Sequence, residues 1–519
     1  MCMLTNQRWL QPMQIFPPPS ENARLKMYQE NENLYKGDFD IVWKDLWDLQ
    51  DLMNLDELMS TFFKTPYGPR KLEFNWFLVL CNVFADFLVG EPPRLLGGDK
   101  SEQSTLDNIR LRSDLNMVLY KAAINMLRYN HGIMKVRFKG GEYKEPGSVI
   151  ENIKPSIWFP IVNPDNEDEY TAHVLAWTFI DQVGYSQVKM LKVEIHEPGV
   201  IYHRLFHMNG DVIDHEISLA TTAKYADLVM PVPLNADPLT YVAPLGSSVD
   251  TGVPYPLVFV VQNPTDDFKN VKNLVHELVS RIIKIASILD IHSRPIMAGP
   301  DNMLTTDMET GEDKLLLNGR FFPIRDPLNK PTYITWDGKL NSSFTQMDKI
   351  TDMLYKVTDL TPAALGDYSQ GMQVSGSAWR RLLVRTLAKT NRLRLVFDVP
   401  VKRMLFAAST LDNIGRISGS KPVMLHSIGW QDGLPKDMKE DTAIEQARKN
   451  SGLTSKLSSI MRLDDCTVEE AQEELDRMKA EIPDAPREQS PIGARMRNEG
   501  NQKRADLSPD GENSLDVMK

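Results

Sequence analysis

The stretch WRRLLVRTLAKTNRLRLVFD, Trp379 to Asp398, is a strongly basic amphipathic segment in a chain of net charge −11. From Ser377 to Thr410 there are eight Lys or Arg and one acid, Asp398, a local charge of +7 that leaves −18 to the rest. At 100° per residue, Trp379, Leu382, Leu383, Thr386, Leu387, Leu393, Phe397, Val401, Met404 and Leu405 form one broad apolar sector. Arg381, Arg385, Lys389, Arg392 and Arg403 fall on the other side. Like charges at i,i+4 cost an isolated helix a few tenths of a kcal/mol each, and a packed apolar face outweighs that. The basic face still asks for acids that the helix does not supply. They can come from elsewhere in the same chain, from a neighbouring subunit, or from a polyanion. Pro400 lies on the apolar side, where it is expected to kink or restart the helix.

Outward from this helix, a loop precedes it. TPAALGDYSQGMQVSG (361–376) is polar at its centre, has glycine at its shoulders and contains no Lys or Arg. A short helix, Met347 to Leu360, comes before the loop. From Pro295 to Thr345 short strands surround Asn318-Gly319 and Asp337-Gly338, both hairpin dipeptides. Phe268 to Leu289 puts Val271, Leu274, Val275, Leu278, Val279, Ile282, Ile283, Ala286 and Leu289 on one helical face. Asp266 and Asp267 sit in its first turn, where the helix dipole favours acids.

The first half reads as a mixed α+β body. Residues 1–36 look like a loosely ordered, proline-containing arm. Helical periodicity runs over Ile41 to Lys64, Leu72 to Val89 and Leu106 to Tyr129. After His131-Gly132 the period becomes two, and 133–138, 172–180, 188–196, 200–207 and 255–262 read as strands, with EPG (197–199) and NGD (209–211) as turns. At the far end, Asp441 to Asn450, Leu453 to Leu463 and Thr467 to Ile482 are short helices, with Gly452 as a stop and Thr467 to Glu470 as a capping box. Beyond Pro483, small and polar residues with six basic and seven acidic groups predict a disordered tail.

Composition narrows the function. Three cysteines point to a reducing compartment without a disulfide framework. The most apolar run, Trp76 to Val89, is too short to span a bilayer, so no membrane role is expected. An acidic balance argues against a generic nucleic-acid binder, though a like-charged wall suits a protein that lets nucleic acid pass. No phosphate-binding, dinucleotide, zincin or serine-hydrolase motif is present. LLGGD (95–99) and SGSAW (375–379) read as turn and helix-start features. His196, His203, His207 and His215 are the best metal candidates, yet on one strand His203 and His207 stand about 13 Å apart. They read as polar residues on the wet face of a hairpin, so no metal, cofactor or enzyme chemistry is expected.

The order of these parts resembles the portal proteins of tailed double-stranded DNA bacteriophages, of the siphophage type. The resemblance is strongest over about 260–410, in FKNVKNLVHELVSRIIKIASILDIHSRPIM and MLYKVTDLTPAALGDYSQGMQVSGSAWRRLLVRTLAKTNR. It extends in weaker form over 130–262, in VIENIKPSIWFPIVNP and VEIHEPGVIYHRLF. It implies an α+β portal fold: an arm (1–40), a wing (41–265), a stem helix (266–292), a clip (293–345), a second stem helix (346–360), a tunnel loop (361–376), a long wing helix with a return strand (377–435), a helical crown (436–482) and the tail (483–519). It further implies a ring, usually of twelve subunits, at one vertex of the virion, assembled in the host cytoplasm. Its partners would be further copies of this chain, the major capsid and scaffolding proteins, the terminase large subunit, head–tail connectors and the double-stranded DNA packaged and ejected through the channel.

By the same resemblance, Pro362, Asp367, Tyr368, Ser369, Gln370, Gly371, Met372, Gln373 and Val374 would face DNA. Lys269, Lys272, Arg281 and Lys284 would be candidates for the stem lining. Asn318, Gly319, Arg320, Asp337 and Gly338 would meet terminase and connector. A heterologous ring needs two complementary faces per subunit, and Arg381, Arg385, Lys389 and Arg392 are the candidates for the basic one. Two other classes remain open: a metal-dependent or nucleic-acid-processing enzyme built on the His196–His215 cluster, and a scaffold or adaptor without a channel.

Overall fold

The computed structural model describes residues 10–44, 74–139, 146–183, 186–222, 224–225, 228, 245–292, 296–300, 304–306, 313–315, 321–324, 330–334, 340–367, 376–431, 433, 438–464, 466 and 468–481. Two compact units divide the chain, Met1–Asp437 and Met438–Lys519. The described residues are mixed helix and sheet, as an α+β reading requires.

In chain order the larger unit holds α1 (Asn22–Lys36), α2 (Phe39–Val42), α3 (Trp76–Ala85), β1 (Arg94–Leu95), α4 (Lys100–Ser113), α5 (Leu115–Tyr129), β2 (His131–Lys139) and β3 (Gly147–Ile153). Next come β4 (Trp158–Asn163), β5 (Asn166–Val183), β6 (Ser186–Glu197), β7 (Val200–Asn209), β8 (Val212–Ile217), β9 (Ser247–Asp250) and β10 (Val258–Gln262). Then follow α6 (Asp267–His292), the short strands β11 (Ile296–Pro300), β12 (Leu304–Thr306), β13 (Asp313–Leu315), β14 (Phe321–Ile324) and β15 (Thr332–Ile334), α7 (Asn341–Thr358), α8 (Gly376–Leu382), α9 (Val384–Ile414) and β16 (Ile428–Gly429). The second unit holds α10 (Met438–Asn450), α11 (Lys456–Leu463) and α12 (Val468–Glu481).

The main core lies where α3, α5, α6, α7 and α9 meet the β10-β2-β3 sheet. Phe77, Phe84, Met126, Val136, Phe268, Val275, Leu354, Phe397 and Val401 are all buried there. Each such side chain contributes about 1.5–3 kcal/mol on leaving water. Gly132 marks a close approach between layers: a Cβ there would lie 2.3 Å from the Ala122 carbonyl oxygen.

The larger sheet has the order β4-β5-β6-β7-β8, with β9 also pairing β7, and every pairing is antiparallel. One face packs Val174, Leu191, Val193, Phe206, Met208 and Ile213 against Leu10 and Phe16.

Several expectations are corrected here. Residues 10–36 are not a loose arm. α1 buries Tyr28 and Leu34, and the segment before it joins the sheet through Met13 N to Ile213 O at 2.7 Å and Ile213 N to Gln14 O at 2.8 Å. The helix expected over 106–129 is two helices, because Asp114 adopts a left-handed conformation at φ 46°. Its start is earlier than the apolar period suggests, because Asp99 caps it by accepting from Glu102 N at 2.8 Å; LLGGD is a helix-start feature. The basic helix does not restart at Pro400 but runs through it; its break lies at Leu383, between α8 and α9. β1, β3, β4, β8 and β9 went unforeseen. Most of the Ile41–Lys64 helix and the tail beyond Pro483 lie outside the described residues. In the second unit, Gly452 ends its helix at φ 71°, as expected.

Candidate functional site

The basic helix meets its acids inside its own chain. Lys389 is buried, and its Nζ donates to Asp267 Oδ1 at 2.8 Å and to the Thr358 carbonyl at 3.1 Å, beneath the Phe84 ring at 4.5 Å. Asp267 is buried too, and accepts further from Asn263 Nδ2 and Thr265 Oγ1, each at 3.3 Å. One lysine of α9 thus ties the first turn of α6 to the last turn of α7. A cation also suits that last turn, where carbonyls point outward without helical partners.

Asp359 completes the junction. It ends α7 in the left-handed region at φ 60°, turning the chain towards the loop. Its two carboxylate oxygens accept from Arg385 Nη2 at 2.8 Å and Arg392 Nη2 at 2.7 Å. Those arginines are more than half exposed, so each pair adds at most about 1 kcal/mol. Thr386, fully buried, donates from Oγ1 to the Asp359 carbonyl at 3.1 Å and accepts from Thr361 N at 3.1 Å. The near end of the 361–376 loop is therefore fastened by hydroxyls and charges from α9. Pro362 then opens a single 3-10 turn, which Gly366 closes at φ 80°.

The other predicted positions separate. Of the loop, Pro362 and Asp367 are described; Tyr368, Ser369, Gln370, Gly371, Met372, Gln373 and Val374 lie outside the described residues, as do Asn318, Gly319, Arg320, Asp337 and Gly338. On α6, Lys269 is exposed, Lys284 is half-buried, Arg281 pairs with Glu277 at 2.7 Å one turn earlier, and Lys272 pairs with Glu30 of α1. Arg381 is exposed. Sequence reasoning missed Asp359, Thr358 and Thr386; the unmatched basic face was the signal that an acid had to lie near.

The histidines also separate: the wet-face reading holds for His207 and His215 and is corrected for His196 and His203. His196 and His203 are buried with Lys192 and Glu194. Lys135 donates to Glu194 Oε2 at 2.5 Å, and Lys192 Nζ lies 3.2 Å from His203 Nδ1. Burial pushes the His203 imidazole down to about 3 and the Lys192 ammonium to about 8. Glu194, despite burial, is held well below the carboxylate range by Lys135. This cluster is a closed charge network within the sheet.

Among known families, residues 18–191 match the phage portal protein family, SPP1 Gp6-like. The chain resembles a phage portal protein. The portal-family stretch runs from just before α1 to the middle of β6. It includes much of the core against which α6 and α9 pack. It overlaps the expected resemblance only at 130–191, the part expected to be weaker. The match supports phage portal function in general. Comparison with curated proteins found no match. No helix among the described residues is long and apolar enough to cross a membrane.

Proposed function

We propose that this chain is the portal subunit of a tailed double-stranded DNA phage. Copies close into a ring, usually of twelve, at one capsid vertex. Residues 266–292 and 346–360 are the stem, 293–345 the clip that meets terminase and connector, 361–376 the loop facing DNA, and 436–482 the crown. Capsid and scaffolding proteins contact the outside of the ring. The role is structural and catalyses nothing.

The portal-family match over 18–191 carries this reading. The junction at Asp359 supports it: the near shoulder of the loop is fastened to α9 through Asp359 and Thr361, which holds the base of the loop in place. DNA presents one charge per ~1.7 Å, and a loop with one acid and no base does not trap it.

Negative-stain images of the purified chain test the proposal. Rings with a central opening about one DNA duplex wide are expected; a monomer at high concentration, or a solid assembly, overturns it. Because Lys389, Arg385 and Arg392 are committed to Asp267 and Asp359 within the chain, the ring contact is assigned to Arg381. Arg381→Glu is expected to lower ring yield while leaving the monomer's unfolding midpoint unchanged.

A further inference from the structure

His207, Asp214 and His215 stand together at the β7–β8 hairpin. His207 and His215 are direct cross-strand partners, with rings stacked 5.3 Å apart. Each turns Nδ1 to the same carboxylate oxygen: Asp214 Oδ2 lies 3.1 Å from His207 and 3.0 Å from His215. One potential donor atom from each residue lies within 4.8 Å of the others.

A register shift makes this arrangement. Leu205 faces Ile217 and His207 faces His215, but Met208 faces Ile213. Asp214 is therefore the extra residue of a β-bulge, a device that re-aims a side chain out of the regular alternation. The packing records the change of phase. Ile217 joins Leu205 on one face of the sheet, whereas Ile213 joins Met208 on the other. Without the bulge, Asp214 and His215 would point to opposite faces. With it, both reach His207.

We propose that His207, Asp214 and His215 bind a divalent late first-row transition-metal ion of the zinc class. Two donors each ~2.1 Å from one metal lie ~3.0–3.4 Å apart at octahedral or tetrahedral angles. The two nitrogen–oxygen separations already fall in that range. Two imidazoles and a carboxylate suit zinc, nickel, copper or iron(II), whereas magnesium and calcium require oxygen ligands. The side chains are between one third and three fifths exposed, so an ion can reach them without opening the sheet. Three protein donors leave at least one coordination position for water or another molecule. His196 and His203 take no part: both are enclosed in the network of Lys135, Lys192 and Glu194. This inference does not depend on portal function.

Metal titration of the full chain after chelator dialysis tests it, using Co²⁺ absorption and calorimetry with Zn²⁺. Wild type is expected to take one ion per chain. The double variant His207→Gln/His215→Gln is expected to lose at least about a hundredfold in affinity, above the loss typical of an outer-shell partner. Asp214→Asn is expected to weaken binding and shift the Co²⁺ spectrum. Circular dichroism verifies the sheet in each variant. Absence of stoichiometric uptake by wild type overturns the proposal, as does uptake unchanged in the double variant.

Discussion

Replacing Lys389 with methionine should be among the most damaging single changes in the larger unit. Methionine fills much of the same volume, so packing against Phe84 survives in part. The charge does not. Asp267 would remain buried, with two 3.3 Å hydrogen bonds from Asn263 and Thr265 in place of an ammonium at 2.8 Å. The Thr358 carbonyl would lose its donor as well. Removing one member of a buried pair costs about 3–5 kcal/mol, because the stranded charge is worse than no pair at all. The companion Lys389→Met/Asp267→Asn variant removes that stranded charge and is expected to recover about half of the loss. Urea unfolding, followed by tryptophan fluorescence at concentrations below self-association, measures both. Trp76 is a suitable reporter, since it is buried in the same core, 5.4 Å from Tyr355 of α7. A loss below about 1 kcal/mol for Lys389→Met, the range of a surface pair, would refute the buried junction and return Lys389 to the subunit surface.

Two further outcomes follow from the same interior. Burial lowers His131 to about 4 and His173 to about 3, with Trp158 Nε1 donating to His173 Nδ1 at 3.1 Å. The unfolded chain then binds protons that the native chain refuses, so stability is full above about pH 6.5 and falls as pH drops towards 4 and 3. His173→Gln should flatten the slope by about 1.4 kcal/mol per pH unit in that window; an unchanged slope would place His173 in water. Gly132→Ala would press a methyl group against the Ala122 carbonyl and the Val261 side chain, and should cost about 1–3 kcal/mol in the same urea assay; a neutral result would show that α5 and β2 are less closely packed.

Local pattern carried much of the fold into view. The apolar face of α6 from Val271 to Ile283, the strands β5, β6 and β7, and the turns at 197–199 and 209–211 all announce themselves by period and turn chemistry, whereas Leu289, expected on the same face, is exposed. What stayed hidden depends on partners distant in sequence. Residues 10–16 look like an arm because their hydrogen-bonding partners lie two hundred residues later. Asp114 breaks a continuous helical period by adopting one left-handed residue, which apolar spacing cannot register. Along one strand His203 and His207 are far apart. The relevant neighbour of His207 is His215 across the hairpin, and the bulge that adds Asp214 has no signature in alternation alone. At the junction, the need for acids was visible in the basic face. Their identity, Asp267 and Asp359, depends on which helix ends meet there.

The stitching of Met13, Gln14 and Phe16 to Asp211 and Ile213 has a consequence during synthesis. Residues 10–16 have no place to settle until a hairpin some two hundred residues behind them has emerged. At about 5–20 residues per second, Leu10 and Phe16 wait on the order of 10–40 seconds with their side chains in water. During that interval they are natural handles for a chaperone, and a bulky insertion just before Leu10 would be felt at the β8 edge of the large sheet.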